Sequence, residues 1–221
     1  MTMTHKHRIL IVDDHPIVRQ GYAQLIGDHR DLEVCGFAST EQEALALCRE
    51  RMPHLVIIDI TLKEGHGIEL IKQLVSRDVG VKILVISAHD EKIFAERALE
   101  AGALGYINKQ EATDELIDGI RAVLAGDVYL SEQMSKRLLK RRVGNRKSNS
   151  VDVASFDQLT DRELEVFQLI GKGLTTRRIA DQLQLSPKTI ERYRENIKHK
   201  LNLANATELL QRATRWSLEG G

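Results

Sequence analysis

The sequence predicts a doubly wound α/β domain built on a five-stranded parallel sheet, followed by a small all-α domain of four helices. Short runs of aliphatic residues alternate with helical patterns in the first half, and such runs are typical of buried parallel strands. Five β–α units of this length favour a doubly wound sheet with right-handed crossovers. From residue 159 onward every predicted element is helical. At 221 residues the chain is long enough for two such domains, each with its own core.

Strands and helices alternate through the first half of the chain. Strands are predicted at residues 9–12, 32–38, 55–58, 82–87 and 105–108, and helices at about 16–26, 40–51, 66–77, 91–101 and 112–125. Pro16 suits the first turn of a helix, because no backbone N–H is needed there. Thr40-x-x-Glu43 is a capping box that opens the second helix. Gly102 and Gly126 end the fourth and fifth helices.

A basic segment follows the fifth helix. Residues 131–150 contain seven Lys and Arg residues and a single acidic residue, Glu132. The pattern allows a helix as far as Leu139. Residues 144–154, which are rich in Ser and Asn, predict a flexible linker.

The remaining residues carry the pattern of a helix-turn-helix. Thr160-x-x-Glu163 is a capping box that opens one helix, and Gly171 and Gly173 end it. A short second helix follows, and Ser186-Pro187 starts a third, with Ser as the N-cap and Pro at the first helical position. A fourth helix is predicted at residues 206–216. A basic-rich helix that follows a short helix and a tight turn fits a DNA recognition helix.

The third helix of this group has one apolar and one polar face. Its apolar positions are Ile190, Ile197 and Leu201. The opposite stripe consists of Lys188, Arg192, Glu195 and His199, with Glu191 and Lys198 beside it. This arrangement predicts a helix that packs on one side and presents charge on the other.

The formal net charge of zero hides an asymmetry between the two halves. Residues 1–130 hold 14 basic and 21 acidic residues, whereas residues 131–221 hold 18 and 11. A basic second half favours a polyanionic partner such as nucleic acid. No apolar run approaches the roughly 18 residues of a membrane span, and the first eight residues are polar. We therefore expect a cytoplasmic protein with no membrane partner.

Polar side chains follow four of the predicted strands at the point where each strand ends. They are Asp13, Asp14, Asp59, Ser87 and Lys109. Ligands of open α/β sheets bind beyond the carboxyl ends of the strands, so these groups should converge. Three neighbouring carboxylates are costly unless a cation joins them, and such oxygen ligands favour Mg²⁺. A carboxylate can act as the nucleophile of phosphoryl transfer, while Lys109 and Ser87 would contact the transferred group.

The run Ile9–Pro16, with Asp59, Ser87-Ala88 and Gly105–Lys109, resembles the receiver domain of two-component signalling. The resemblance covers residues 6–128 and implies a flavodoxin-like sheet of strand order 2-1-3-4-5. It implies that Asp59 is the phosphoacceptor and that Lys109 and Ser87 contact the phosphoryl group.

The same resemblance implies a metal site and a switch. Mg²⁺ would be held by Asp14 directly, by Asp13 through water, by Asp59 and by the backbone carbonyl of Thr61. Tyr106 would turn inward when Ser87 moves toward the phosphoryl group. The Tyr106 ring fits a half-buried core position equally well.

Two positions depart from the receiver pattern. Receivers usually carry Met-Pro soon after the phosphoacceptor, whereas residues 62–67 contain no proline. This predicts a more flexible loop that alters kinase choice or phosphate lifetime. Gln110 replaces the proline that often follows the lysine, so a cis peptide bond is not expected there. Neither departure removes a reacting group.

Residues 157–217, from Leu159-Thr160 through Ser186–Tyr193 to the fourth helix, resemble the LuxR-type DNA-binding domain. A receiver joined to this domain is the NarL/FixJ arrangement, in which we expect residues 129–156 to form a helical and flexible basic linker. The resemblance places Glu191, Arg192 and Glu195 at base edges, and Lys188, Thr189, Arg194, Lys198 and Lys200 at phosphates. Arg192 suits guanine and Glu191 suits the amino group of cytosine. A solvated helix face explains each of these side chains equally well.

Together, the two resemblances imply a transcription regulator switched by phosphorylation. Its partners would be a sensor histidine kinase and double-stranded DNA, with homodimerisation on phosphorylation. Beyond its own phosphorylation and slow autodephosphorylation, no enzyme activity is expected. One alternative is a DNA-binding regulator that works without phosphorylation. An Asp-nucleophile phosphatase is disfavoured, because haloacid-dehalogenase-like enzymes need Asp-x-Asp on one strand.

Overall fold

The computed structural model describes residues 6–62, 64–77, 80–143, 156 and 158–218. The chain divides into two compact units between residues 140 and 141. The flexible linker predicted at 144–154 lies outside the described residues. Within the described part of the chain, every helix is too short or too polar to cross a membrane.

The first unit alternates strands with helices. Its strands are β1 (His7–Val12), β2 (Leu32–Ala38), β3 (Leu55–Ile58), β4 (Lys82–Ser87) and β5 (Gly105–Asn108). Its helices are α1 (Pro16–Gly27), α2 (Glu41–Arg51), α3 (Gly67–Ser76), α4 (Glu91–Ala101), α5 (Ala112–Ala125) and α6 (Glu132–Val143). All strand pairs are parallel, in the order β2-β1-β3-β4-β5. The predicted fold class and strand order are therefore confirmed.

The central strands β1 and β3 are buried on both faces of the sheet. Every residue from Ile9 to Val12 and from Leu55 to Ile58 is at most 1% exposed. Helices cover both faces, which explains why these strands are continuous apolar runs without alternation. The register pairs Val12 with Ile58, and the Asp59 N–H donates to the Val12 carbonyl at 2.9 Å. The residues that follow these two strands are thereby brought side by side.

The capping box predicted at the start of α2 differs in one contact. The Thr40 hydroxyl accepts a hydrogen bond from the Glu43 N–H, as predicted. The Glu43 carboxylate, however, accepts from the N–H and hydroxyl of Ser39 rather than from Thr40. Helix α2 thus begins where the sequence indicates, with its N-terminal contact shifted by one residue.

Helix α6 is tied to the first unit. The chain at Tyr129 pairs with β5, because the Tyr106 N–H donates to the Tyr129 carbonyl at 2.9 Å. The N–H and hydroxyl of Ser131 then donate to the two oxygens of Glu91, the first residue of α4, at 3.0 and 2.5 Å. Met134 is buried. Residues 129–140, which were assigned to the linker from the sequence, thus pack within the first unit. The predicted limits of the domains stay a prediction.

Ser131→Ala should loosen the start of α6. The Ser131 oxygen accepts a hydrogen bond from the Met134 N–H at 3.1 Å, and loss of an N-cap costs about 0.5–2 kcal/mol. The free energy needed to open this turn should fall by roughly that amount, and amide hydrogen exchange at Met134 should accelerate accordingly. Ser135→Ala, within the same helix, serves as the control. Equal exchange at Met134 in the two variants would contradict the assignment of Ser131 as the cap.

The second unit consists, in its described residues, of four helices. They are α7 (Asp161–Gly171), α8 (Thr176–Gln182), α9 (Pro187–Lys200) and α10 (Ala206–Leu218). Helix α7 lies at the centre, with Phe167 fully buried and its ring centroid 5.5 Å from that of Trp216. A Cβ on Gly171 would lie 2.5 Å from the Ala213 carbonyl oxygen, so the close approach of α7 and α10 requires glycine. Leu201, predicted to point inward, is only partly buried.

Candidate functional site

Carboxylates and an ammonium group meet at the carboxyl edge of the sheet. Asp13 follows β1, Asp59 follows β3, and the two residues are 2% and 4% exposed. Lys109, which follows β5, places its Nζ atom 2.6 Å from Asp13 Oδ2 and 2.7 Å from Asp59 Oδ2. Three of the predicted site residues, separated by 46 and 50 positions in sequence, are therefore in direct contact.

The environment of this cluster shifts the pKa values of its members. The pKa of Asp59 is raised to about 6, because burial and the nearby charge of Asp13 raise it more than the charge of Lys109 lowers it. Burial by itself lowers the pKa of Lys109, but the charges of Asp59 and Asp13 outweigh it and hold the pKa above its usual value. The ammonium of Lys109 therefore stays charged beside a carboxylate that is costly to ionise without further positive charge.

The donor set of the cluster suits a divalent cation. Ligand atoms of Asp13, Asp14, Asp59 and His15 all lie within 4.8 Å of one another. Three carboxylates are hard oxygen donors of the kind that Mg²⁺ prefers. His15 was not predicted as a site residue, although it directly follows the two aspartates. Its Nδ1 atom lies 2.8 Å from Asp14 Oδ1 and 3.1 Å from Asp13 Oδ1.

The remaining predicted residues of the first unit are linked through His89. The His89 N–H donates to Ser87 Oγ at 3.3 Å, and the Tyr106 hydroxyl donates to the His89 carbonyl at 2.9 Å. His89 Nε2 lies 2.9 Å from Thr61 Oγ1. The Tyr106 ring points inward and is 1% exposed. The sequence analysis missed His89, whose only signal is its position two residues after Ser87.

The loop after Asp59 is packed against the Asp59 backbone at Gly67. A Cβ added to Gly67 would lie 2.2 Å from the Asp59 carbonyl oxygen and 2.7 Å from Ile60 Cα. The Gly67 N–H donates to the Ile60 carbonyl at 2.8 Å, and the Glu41 N–H donates to the Glu64 carbonyl at 3.2 Å. The described residues of this loop, which lacks the usual proline, are therefore held by backbone hydrogen bonds.

Gly67→Ala should displace the backbone that carries Asp59. The added methyl group cannot be accommodated by rotation of a side chain, because the atoms that it meets belong to the backbone. A misplacement of about 1 Å at a reacting group costs on the order of 100-fold in rate. Labelling of the chain by acetyl phosphate should therefore slow at least tenfold. Gly21→Ala, where a Cβ meets nothing within 4 Å, is the control and should label normally.

The residues predicted to contact DNA lie on the recognition helix α9. Lys188, Glu191, Arg192 and Glu195 are exposed, and Thr189, Arg194, Lys198 and Lys200 are partly buried. Ser186 caps the helix, because its hydroxyl accepts from the Thr189 N–H at 3.0 Å. The predicted N-terminus of the recognition helix is thus confirmed. The contacts to bases and phosphates stay predictions.

Lys200 has a partner inside the second unit. Its Nζ atom donates to Glu163 Oε2 at 2.6 Å, and Glu163 is 3% exposed. The same carboxylate oxygen accepts from the Thr160 N–H at 2.9 Å, which completes the capping box of α7. A phosphate contact by Lys200 would therefore compete with an ion pair that joins the end of α9 to the start of α7.

The Glu163 ion pair should make the stability of the second unit depend on pH. Burial raises the pKa of Glu163, but hydrogen bonds from Lys200 and Thr160 outweigh it, so the pKa lies below its usual 4.5. Because the folded-state pKa is the lower one, the stabilisation is present above about pH 4.5 and is lost as the pH falls through the folded-state value.

Urea unfolding followed by Trp216 fluorescence at several pH values tests this dependence. Lys200→Gln should lower the free energy of unfolding at neutral pH by about 1–3 kcal/mol and flatten its decline in acid. Lys198→Gln is the matched control, because its partner Glu195 has a side chain that is 67% exposed. Identical acid profiles for wild type and Lys200→Gln would contradict the stabilising role of the pair.

Two family models match the chain, one within each unit. Residues 9–121 match the family model described as response regulator receiver domain. Residues 157–213 match the model described as bacterial regulatory proteins, luxR family. The first range contains the acidic cluster, and the second contains the helix-turn-helix.

Relatives match this chain over nearly its whole length. The response regulator GacA of Pseudomonas aeruginosa is 33% identical over 208 residues, which cover 94% of this chain and 95% of GacA. BvgA of Bordetella pertussis, named for the regulation of virulence-factor transcription, is 35% identical over 213 residues, or 96% of this chain and 99% of BvgA. A solved structure of two RcsB dimers bound to two parallel DNAs is 25% identical, with a TM-score of 0.58, and covers 95% of this chain and 98% of that chain.

The relatives match this chain across both units, and their names describe regulators rather than enzymes. This chain belongs to the NarL/FixJ-type response regulators, which join a receiver domain to a LuxR-type DNA-binding domain and are homologous to transcription regulators.

Proposed function

We propose that this chain is a phosphorylation-switched transcription regulator that accepts a phosphoryl group on Asp59 from a sensor histidine kinase in the presence of Mg²⁺. The observation that carries the proposal is the contact of Lys109 with both Asp13 and Asp59 at the carboxyl edge of the sheet. A buried carboxylate beside a fixed ammonium, with further carboxylates that would hold a divalent cation, suits the transfer of an anionic phosphoryl group.

The chemistry is a transfer between two side chains. A carboxylate oxygen of Asp59 attacks the phosphorus of a phosphohistidine on the kinase; the new O–P bond forms as the N–P bond breaks, and the imidazole leaves. Lys109 neutralises charge on the phosphoryl oxygens, and the Ser87 hydroxyl donates to one of them. Mg²⁺, held by Asp13, Asp14, Asp59 and the Thr61 carbonyl, would supply the remaining positive charge. Hydrolysis of the acyl phosphate returns the chain slowly to its first state.

The contacts around the cluster offer a route from Asp59 to helix α6. A phosphoryl group on Asp59 competes with the carboxylate for Lys109 and draws Ser87 toward it, which strains the hydrogen bonds from His89 to Ser87 and from Tyr106 to His89. Two residues beyond His89, Glu91 holds Ser131 at the start of α6. A shift of α4 and β5 would therefore reach the segment that leads to the DNA-binding domain.

The output is binding to double-stranded DNA by a homodimer. Support comes from the exposed basic side chains of α9 and from RcsB, which is seen as dimers on DNA. Arg192 reads a base edge in the major groove, and lysines beside it contact phosphates. Dimer geometry would be reflected in the spacing of two half-sites.

Incubation of the full chain with acetyl phosphate tests the first step. The expected result is a single acid-stable but hydroxylamine-labile phosphoryl group per chain, dependent on Mg²⁺ and absent in EDTA. Selection of bound duplexes from a random pool should yield a two-half-site motif, bound more tightly by the labelled chain. Rapid catalytic turnover of acetyl phosphate, faster than slow autodephosphorylation, would favour a phosphatase. Equal DNA affinity with and without label would favour a phosphorylation-independent regulator.

A further inference from the structure

Glu191, assigned from the sequence to a cytosine contact, is held by the helix-turn-helix itself. Its Oε1 atom accepts a hydrogen bond from the Thr176 hydroxyl at 2.7 Å, and Thr176 is the first residue of α8. Its Oε2 atom lies 3.8 Å from Nε of Arg194, one turn along α9. Both carboxylate oxygens therefore face protein groups.

The position of Glu191 around the axis of α9 agrees with these contacts. Each residue turns an α-helix by about 100°, and Ile190 marks the fully buried face. Glu191 thus lies about 100° from that face, on the flank, whereas Arg192 lies about 200° away, on the outermost side. Arg194, the partner of Glu191, lies nearer the buried face and has a side chain that is only 18% exposed, whereas the Glu191 side chain is 55% exposed.

A further charge pair lies on α9, C-terminal to Glu191. Lys198 Nζ lies 2.9 Å from Glu195 Oε1, and the Lys198 side chain is 19% exposed. The flank therefore carries Arg194 and Lys198, which pair with Glu191 and with Glu195 of the outermost stripe, and its N-terminal end is joined to α8 through Thr176. The outermost stripe, formed by Lys188, Arg192, Glu195 and His199, is left to face a groove.

We infer that Glu191 is a positioning residue, which fixes the recognition helix α9 against α8 through the Thr176 hydroxyl and does not read a base. Sequence preference then comes from the outermost stripe, with Arg192 as its principal reader. This inference rests on the proposed DNA-binding function and changes the role of one residue within it.

The Gln variant of Glu191 separates positioning from base reading. A glutamine keeps an acceptor oxygen for Thr176, but in the major groove it pairs with adenine, whereas glutamate accepts from cytosine. If Glu191 only positions α9, the full-length Glu191→Gln chain selects the same bases as wild type at every position of the motif. Arg192→Ala, by contrast, loses its preference at one base pair.

A double-mutant cycle tests the contact itself. Thr176→Val and Glu191→Ala should each weaken binding by about two- to tenfold, by the same factor on the selected duplex and on its single-base variants. The double variant should bind no more weakly than Glu191→Ala, because each single variant already removes the hydrogen bond between Thr176 and Glu191. Thr176→Ser, which keeps the hydroxyl, should bind as wild type does. Trp216 fluorescence confirms that each variant is folded.

If the Glu191→Gln chain prefers an A·T pair at a single motif position where wild type prefers another base pair, the inference is overturned. Glu191 would then be a residue that contacts a base. Additive losses for Thr176→Val and Glu191→Ala would also overturn the inference. The wild-type control distinguishes a deeper failure, because a wild-type chain that enriches no motif would overturn the proposed DNA-binding function and this inference with it.

Discussion

Asp59→Asn is expected to reduce labelling by acetyl phosphate from one phosphoryl group per chain to background. An amide has no anionic oxygen with which to attack phosphorus, and the shape of the side chain is otherwise kept. The variant should remain folded, because Lys109 keeps its contact of 2.6 Å with Asp13 and a buried charge is removed. The measurement is incorporation of label by intact mass in the presence of Mg²⁺.

The matched control for Asp59→Asn is Asp28→Asn, which alters an exposed aspartate at the end of α1. It should label as wild type does. DNA affinity supplies a second readout, because Asp59→Asn should bind the selected duplex as unphosphorylated wild type does, with or without acetyl phosphate. Full labelling of Asp59→Asn would assign the acceptor to another residue, and the proposed role of Asp59 would be wrong.

Phe167→Ala is expected to lower the free energy of unfolding of the second unit by about 3–5 kcal/mol. The Phe167 side chain is fully buried at the centre of α7, and its ring centroid lies 5.1 Å from that of Phe156 and 5.5 Å from that of Trp216. The substitution removes an aromatic pair on each side and leaves a cavity. Since small domains are stable by only about 5–15 kcal/mol, much of the unit should be unfolded in mild denaturant.

Trp216, the single tryptophan of the chain, reports this unfolding by its fluorescence in urea. The control is Leu210→Ala, which shortens a side chain that is 47% exposed on the neighbouring helix α10. That variant should shift the free energy of unfolding by less than about 1 kcal/mol. Similar urea midpoints for Phe167→Ala and Leu210→Ala would show that the aromatic cluster does not hold the unit together.

The sequence determined the elements and their order, because these depend on local patterns. Aliphatic runs marked the buried strands, and caps such as Ser186 marked the starts of helices. It also predicted that Asp13, Asp59 and Lys109 meet, since parallel strands bring residues at their carboxyl ends to one edge. That inference needed no distances, only the rule that relates strand ends to ligand sites.

The tertiary structure alone decided which partner each polar group takes. Lys200 and Glu191 belong to the charged surface expected of a recognition helix, yet their contacts with Glu163 and Thr176 depend on how α9 packs against α7 and α8. The links through His89, and the contact of Gly67 with the Asp59 backbone, likewise join residues from different elements. Periodicity fixes the side of an element on which a residue lies, whereas a hydrogen bond needs distances of a few tenths of an ångström, which only the packed chain defines.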